Sequence, residues 1–517
     1  MHGLLYISCR VHKGEYMNNK YIGIVVACMV SCCFHIVAQE HPKREFRGVW
    51  LPTAWQSRYA EHTVEENKKQ LIELLDVLQA TGINAVIFQV RPQADAFYPS
   101  TLEPWSRHLT GRAGKAPSPE WDPLQFIIEQ CHDRNMELHA WINPYRVTLS
   151  AQEKLPKEHL YYRKPELFVR YNGKLYFDPG LPAARAHILA VVDDIVARYD
   201  VDAIHLDDYF YPYPVQDEKF PDDASYSLYG NGMQRDEWRR YNVNQLISAM
   251  HELLLHSSKP WVRLGISPFG IYRNKKSWNE GSDTNGLQCY DDMYADVLLW
   301  ARNGWIDYLI PQLYWTLQNK NANYDTLVRW WNQSDLGSCH LYIGQDLSRS
   351  CNTPDVVPGK NQLERKIELS RYLDCVDGDC LWFGYQLTED YRSFAVFLSQ
   401  NYYATPALLP AYTHLDPVLP KEVASLKAKR TPYGYMLEWK PRKTRDEKQR
   451  QIAFVVYRFE DGETIDLSSA KAIQTVTRNT AFLLPYKDGS QEYVYVVTVI
   501  DRYNNESPRG KRIRVLL

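Results

Sequence analysis

The stretch "DAIHLDDYFYPYP", residues 202–214, ends an apolar run on two adjacent carboxylates, Asp207 and Asp208. Two carboxylates this close repel each other, which raises the pKa of one and keeps a proton in place for general acid work. The rings that come directly after, Tyr209, Phe210, Tyr211 and Tyr213, suit the apolar faces of sugars. In an alternating strand, Ile204 and Leu206 take one face while His205 and Asp207 take the other. Asp208 falls where the chain leaves the strand.

The same alternation selects partners on other apolar runs. It points Gln89 and Arg91 of "INAVIFQVRP" inward, with His139, Trp141 and Asn143 of "ELHAWINPYRV". Ser267, Gln312, Tyr314 and Asp346 join them from "VRLGISPFG", "DYLIPQLYW" and "HLYIGQDLS". Asp95 and Trp315, at or beyond strand ends, join Tyr209 as candidate substrate contacts. Trp50, Trp55, Tyr98, Trp105, Tyr211 and Tyr213 are further aromatic candidates. So many polar strand ends are costly to desolvate without a use. Plainer roles exist for each: helix cap for a strand-end Asp, neutraliser of a buried carboxylate for Arg91, loop anchor for Asn143, satisfied core for His139 and His205.

The elements that must hold these residues alternate. Strands are expected at 45–52, 83–92, 137–147, 201–210, 262–270, 307–315, 340–348 and 380–386, each succeeded by a run with apolar residues at helical spacing. Asp or Asn often stands at the helix entry, as an N-cap should. Eight such pairs over residues 43–405 predict an α/β fold, a closed (β/α)8 TIM barrel with its site at the carboxyl-terminal mouth. Residues 406–420 are proline-rich and predict a linker. Residues 421–517 carry short alternating strands, predicting a small, independently folding all-β sandwich that resembles a fibronectin type III domain.

Bulk properties narrow the function. The 517 residues carry a formal charge of −2, with 24% charged, 45% hydrophobic and 13% aromatic residues. That balance argues against a nucleic-acid partner. Residues 1–38 read as an extension and a signal peptide starting at Met17, with cleavage after Ala38 and hence export to the periplasm or envelope. A lipid anchor at Cys32 or Cys33 is the alternative and the sole route to a membrane. Six cysteines remain after the leader. Cys339/Cys351 and Cys375/Cys380 are near enough in sequence to pair, without spacing fixing connectivity. No CxxC or paired-His spacing suggests zinc, so no metal or cofactor is expected, and the chain is read as a monomer.

The motifs "FRGVWL", "NAVIFQVRPQADAFYPS", "EPWSRHLTG", "DAIHLDDYFYPYP", "GISPFGIYRN" and "DYLIPQLYW" resemble the bacterial glycosyl-hydrolase-like ten family over roughly residues 43–405. The resemblance implies a glycoside hydrolase of the cell envelope that acts on peptidoglycan glycan strands, particularly those stripped of stem peptides. Strand five ends in "GISPFG" without the Glu that many barrel glycosidases use. The adjacent Asp207 and Asp208 resemble instead the Asp-Asp pair of substrate-assisted hexosaminidases. There the 2-acetamido group is the nucleophile, one Asp orients it and its neighbour protonates the leaving oxygen. One variant keeps Asp207 as nucleophile with Asp346 as acid. The alternative from another class is a silent glycan-binding protein; a metal-dependent deacetylase ranks third.

Overall fold

Eight parallel strands close into a barrel in this computed structural model, which describes residues 41–54, 56, 58–484 and 489–517. The leader at 1–38 and Trp55 lie outside these residues. Strands one to eight are Phe46–Leu51, Ala85–Arg91, Glu137–Ile142, Ala203–Leu206, Arg263–Ile266, Tyr308–Leu309, His340–Asp346 and Val376–Trp382. Each pairs with the next and strand one with strand eight, the order of a TIM barrel. Strand eight begins four residues earlier than expected.

Alternation sorts the side chains. Val86, Phe88, Leu138, Ala140, Ile204, Leu206 and Ile343 pack outward against the helices. Phe46, Trp50, Ile87, Trp141, Tyr308 and Tyr342 fill the interior. Burying each large apolar chain is worth roughly 1.5–3 kcal/mol, so the two sets fix which way every strand faces. Tyr308 reaches the barrel axis because its neighbour is Gly265, where a Cβ would lie 1.8 Å from the ring.

Strand two breaks the alternation. Gln89 pairs with Trp141 and Arg91 with Ile142, so Val90 is an extra residue in the ladder. Such a bulge turns the next residue of the strand to the other face. Arg91 therefore sits beside an outward-facing residue, and the expected inward position is corrected.

The helix entries use the expected chemistry. Asp122 accepts from Leu124 and Gln125 N–H, and Asn361 forms a capping box with Glu364. The run "DDMYADVLLWARNGW" divides into Cys289–Asp292 and Val297–Arg302. Tyr294 between them adopts φ 57°, which no helix continues through. A hairpin that the sequence pattern does not predict, Phe168–Tyr171 with Lys174–Phe177, comes after strand three. Asn172 and Gly173 at its tip have φ 50° and 71°, as a tight two-residue turn requires.

The tail forms a three-stranded sheet (Ser425–Thr431, Gly434–Lys440, Ala481–Leu483) and a four-stranded one (Ala453–Glu460, Ile473–Thr477, Glu492–Ile500, Lys511–Leu516). Leu437, Trp439, Phe454, Val456 and Tyr495 from both sheets share one core. The proline-rich linker is docked. Leu408 exchanges backbone hydrogen bonds with Lys43 and Glu45 beside strand one. Tyr412 meets the Tyr342 hydroxyl at 3.0 Å under the barrel. Asn504 then donates to Glu137 at 2.9 Å at the start of strand three, and Arg502 pairs with Asp200. Residues 41–517 accordingly form one unit. All six cysteines after the leader are free thiols, so neither suggested pairing forms.

Candidate active site

Asp207 and Asp208 emerge from strand four at the carboxyl-terminal mouth, 3% and 1% exposed. They line a cleft of about 360 Å³ with Trp50, Trp141, Trp315, Trp382 and Tyr314 around them. Tyr209, Ser267 and Gln312, from the expected set, also line it, as do Tyr213, Phe269 and Arg349.

Each Asp has its own support. The Asn143 amide donates to Asp207 Oδ2, and the Tyr209 N–H reaches Oδ1 at 3.4 Å. Asn143 is held in turn: its Oδ1 accepts from Gln89 Nε2 at 2.7 Å, and Gln89 Oε1 accepts from the Thr53 and Ala54 amides. Gln89 and Asn143 thus position the acid from beneath rather than lining the cleft. Asp208 Oδ2 accepts from the Tyr213 hydroxyl. Its Oδ1 is buried and makes no well-aligned hydrogen bond, although the Gln312 amide also acts on this carboxyl, which leaves that oxygen able to take up a ligand.

Electrostatics set the proton count. Burial pushes the Asp207 carboxyl up to about 7, against the pull of the Arg146 charge and with a further push from Asp208. Burial likewise holds Asp208 up to about 6, opposed by the Tyr213 hydroxyl. The pair therefore titrates as a unit and keeps a proton close to neutrality.

The floor is a hydrogen-bonded column along the axis. Trp50 Nε1–H donates to His205 Nε2 at 3.3 Å, and an indole can only donate. His205 therefore carries its proton on Nδ1, which meets the Tyr308 hydroxyl at 3.1 Å. Burial holds its pKa well below 6.5, so the ring is neutral. Tyr308 meets His139 at 2.8 Å, His139 meets Glu137 at 2.9 Å, and Asn504 of the tail completes the column. Ser267 Oγ lies 3.0 Å from His205 Nε2, and its carbonyl holds Gln312 Nε2 at 2.9 Å. The two histidines are satisfied core groups that stiffen the floor.

Three expected site residues lie elsewhere. Arg91 is fully buried and bidentate to Glu103, at 2.7 and 2.6 Å. Burial favours a neutral Glu103, yet Arg91 and His187 overcome it and hold the carboxyl down at about 2. Asp95 is buried in the loop after strand two, accepting from the Gln93 amide, and does not line the cleft. Asp346 caps the helix Leu347–Asn352: its Oδ1 accepts from the Arg349 amide at 2.8 Å. It contributes no wall, though Arg349 does. The cation near the acid pair is Arg146, absent from the expected set although it stands three residues beyond Asn143. Trp382 is absent from that set as well, although it falls inside the expected strand eight. Among the described residues no group of three His, Cys, Asp or Glu could hold a metal ion.

The chain matches the family Glycosyl hydrolase-like 10 over residues 45–359. It is 39% identical to glycosyl hydrolase YngK of Bacillus subtilis over 520 residues, 98% of this chain and 99% of that one. Glycosyl hydrolase DigH of Escherichia coli (strain K12) is 33% identical over 371 residues, 66% of this chain and 84% of its own. Among solved structures, the PgaB (BpsB) glycoside hydrolase domain from Bordetella bronchiseptica aligns with TM-score 0.43 and 12% identity, over 68% of this chain and 98% of that one.

Proposed function

The chain belongs to the glycosyl hydrolase-like 10 family and is a glycoside hydrolase, and from that premise we propose that it cleaves N-acetylhexosamine-containing glycans, above all peptide-free peptidoglycan strands. The observation that carries the reading is Asp208 Oδ1, buried without a well-aligned hydrogen bond, beside a second carboxyl that shares its proton. Both Asp207 oxygens already accept hydrogen bonds, which suits a carboxylate that receives one more N–H.

In this mechanism the sugar lies against the tryptophans of the cleft with its acetamido N–H on Asp207. That hydrogen bond stabilises charge on Asp207 and leaves the shared proton on Asp208. The acetamido oxygen attacks the anomeric carbon as the C–O bond to the leaving sugar breaks, and Asp208 protonates the departing oxygen. Asp207 holds the N–H of the cyclised intermediate. Water then attacks the same carbon, Asp208 takes its proton, and the acetamido group is restored with retained configuration. Mouth geometry favours this over the Asp346 variant, because Asp346 caps a helix through Oδ1 and does not line the cleft.

A thiazoline analogue of N-acetylglucosamine, which mimics the cyclised intermediate, should inhibit competitively. Mass spectrometry of peptide-free glycan strands incubated with the protein should show new reducing ends. Binding without cleavage would instead establish a silent glycan-binding protein. We further infer that the protein works outside the cytoplasm through the 17–38 leader, and that the tail is a fibronectin type III-like module, since its 3 + 4 strand arrangement suits one. A fusion of residues 17–60 to a reporter active only after export tests the first point: retained reporter would overturn it.

A further inference from the structure

The cleft does not end at Tyr209 and Tyr213. Both rings also wall a second compartment of about 310 Å³. Two cations, Arg146 and Lys174, line it, and no carboxylate does. Tyr171 and Tyr176 supply further aromatic wall.

Lys174 stands at the tip of the hairpin after strand three, and among the described residues its ammonium makes no ion pair or hydrogen bond. Glu218, on the loop facing the tip, is turned to backbone: its carboxylate accepts from the Asn172 amide at 2.8 Å. The tip is pinned as well. The Tyr171 hydroxyl accepts from the Val215 amide at 2.7 Å and donates to the Glu218 carbonyl at 3.3 Å. A cation thus stands on a pinned turn, lining an aromatic compartment that shares Tyr209 and Tyr213 with the acid-pair cleft, with no structural task. Arg146 differs, since it already serves the Pro92 carbonyl and the Asp207 charge.

We propose that this compartment is a subsite for a carboxylate-bearing sugar adjacent to the bond that is cut, with Lys174 as its counter-charge. The inference rests on the glycan-hydrolase reading above and names the feature of the glycan that it selects. A pyranose offers an apolar face to the tyrosines while an acidic substituent meets the ammonium. Muramic acid carries such a carboxylate on its lactyl ether once the stem peptide is gone. With the peptide attached, the same carbon is an uncharged amide with bulk behind it. Lys174 thereby reads whether the strand has been stripped.

The test compares the full chain, Lys174→Gln and Lys174→Arg on three oligosaccharides of equal length. The first alternates N-acetylglucosamine with muramic residues bearing free carboxyls, the second has those carboxyls converted to methylamides, and the third is N-acetylglucosamine alone. Wild type should favour the free-carboxyl oligomer through KM. Lys174→Gln should raise that KM roughly tenfold, the size of one charge-assisted hydrogen bond. It should leave kcat and both neutral substrates unchanged, and Lys174→Arg should restore most of the loss. Equal kcat/KM of wild type on carboxylate and methylamide would overturn the subsite alone, as would an equal Lys174→Gln effect on all three. Failure to cleave any of the three would overturn the hydrolase reading, and the subsite with it.

Discussion

Replacing Asp208 by Asn is expected to remove turnover and stabilise the fold at once. General acid catalysis is worth ~10²–10⁴ in rate, and Asn has no proton of that kind to give. The loss should shrink sharply on an aryl glycoside whose leaving group departs without protonation. Stability moves the other way. The Asp208 pKa is held up to about 6 in the fold by burial, against about 3.9 in an unfolded chain. Because the folded value is the higher, this carboxyl's favourable contribution is complete below about pH 3.9 and is lost as pH rises through 6. At pH 8 the charged, buried group costs the fold about 3 kcal/mol relative to its neutral form. Asn keeps the shape and can still accept from Tyr213, without the charge. Removing that charge also relieves Asp207, whose pKa the neighbour raises. Asp208→Asn should therefore melt above wild type at pH 8, with the gap closing toward pH 4. Thermal melts at both pH values, with kcat/KM on poor and good leaving groups, read the two effects. Near-normal turnover on the poor leaving group refutes the acid assignment. Equal impairment on both leaving groups moves the acid elsewhere, and identical melts at pH 8 refute a buried charge.

Arg91→Ala strands the buried Glu103 carboxylate, so chemical denaturation should show a loss of about 3–5 kcal/mol. Arg91→Met with Glu103→Leu, which removes both charges, should recover most of it; if it does not, packing rather than charge holds this corner. Asp346→Asn keeps a good helix cap, so its kcat should stay within a few-fold of wild type; a hundredfold fall would return the acid role to strand seven. Wild-type kcat/KM should trace a bell against pH, since activity needs one proton on the acid pair: it falls above about 7 as that proton leaves, and below about 6 as the pair takes up a second. A chain ended at Pro410 loses Tyr412 and Asn504 from the barrel floor, so it should melt well below the full chain; an unchanged melting temperature would show that the barrel does not need its plug.

The barrel is legible in the sequence because its physics is periodic. Outward Val, Ile and Leu alternating with inward rings identify a strand wherever it runs straight, and seven of the eight strands begin within three residues of the expected place. The features that escape such a reading lie where the period changes. One bulge residue, Val90, reverses the side on which Arg91 falls, and nothing in "FQVRP" marks it. The hairpin carrying Lys174 is legible in principle: Asn172-Gly173 is a strong turn signal, but its strands are only four residues long and sit inside a loop. The docked linker is the instructive case. Proline-rich sequence reads as spacer because proline ends helices and strands, yet a residue without an N–H can still leave its neighbours free to pair. Leu408 and Tyr412 do so against strand one and Tyr342, an outcome that depends on Glu137, Arg263 and Tyr342 leaving polar and aromatic groups at the open bottom of the barrel. Asn504 then joins the column that ends at His205 beneath the cleft. The tail thus supplies the lowest hydrogen bond of the active-site floor, across 367 residues of sequence from Glu137, a separation that no local pattern can encode.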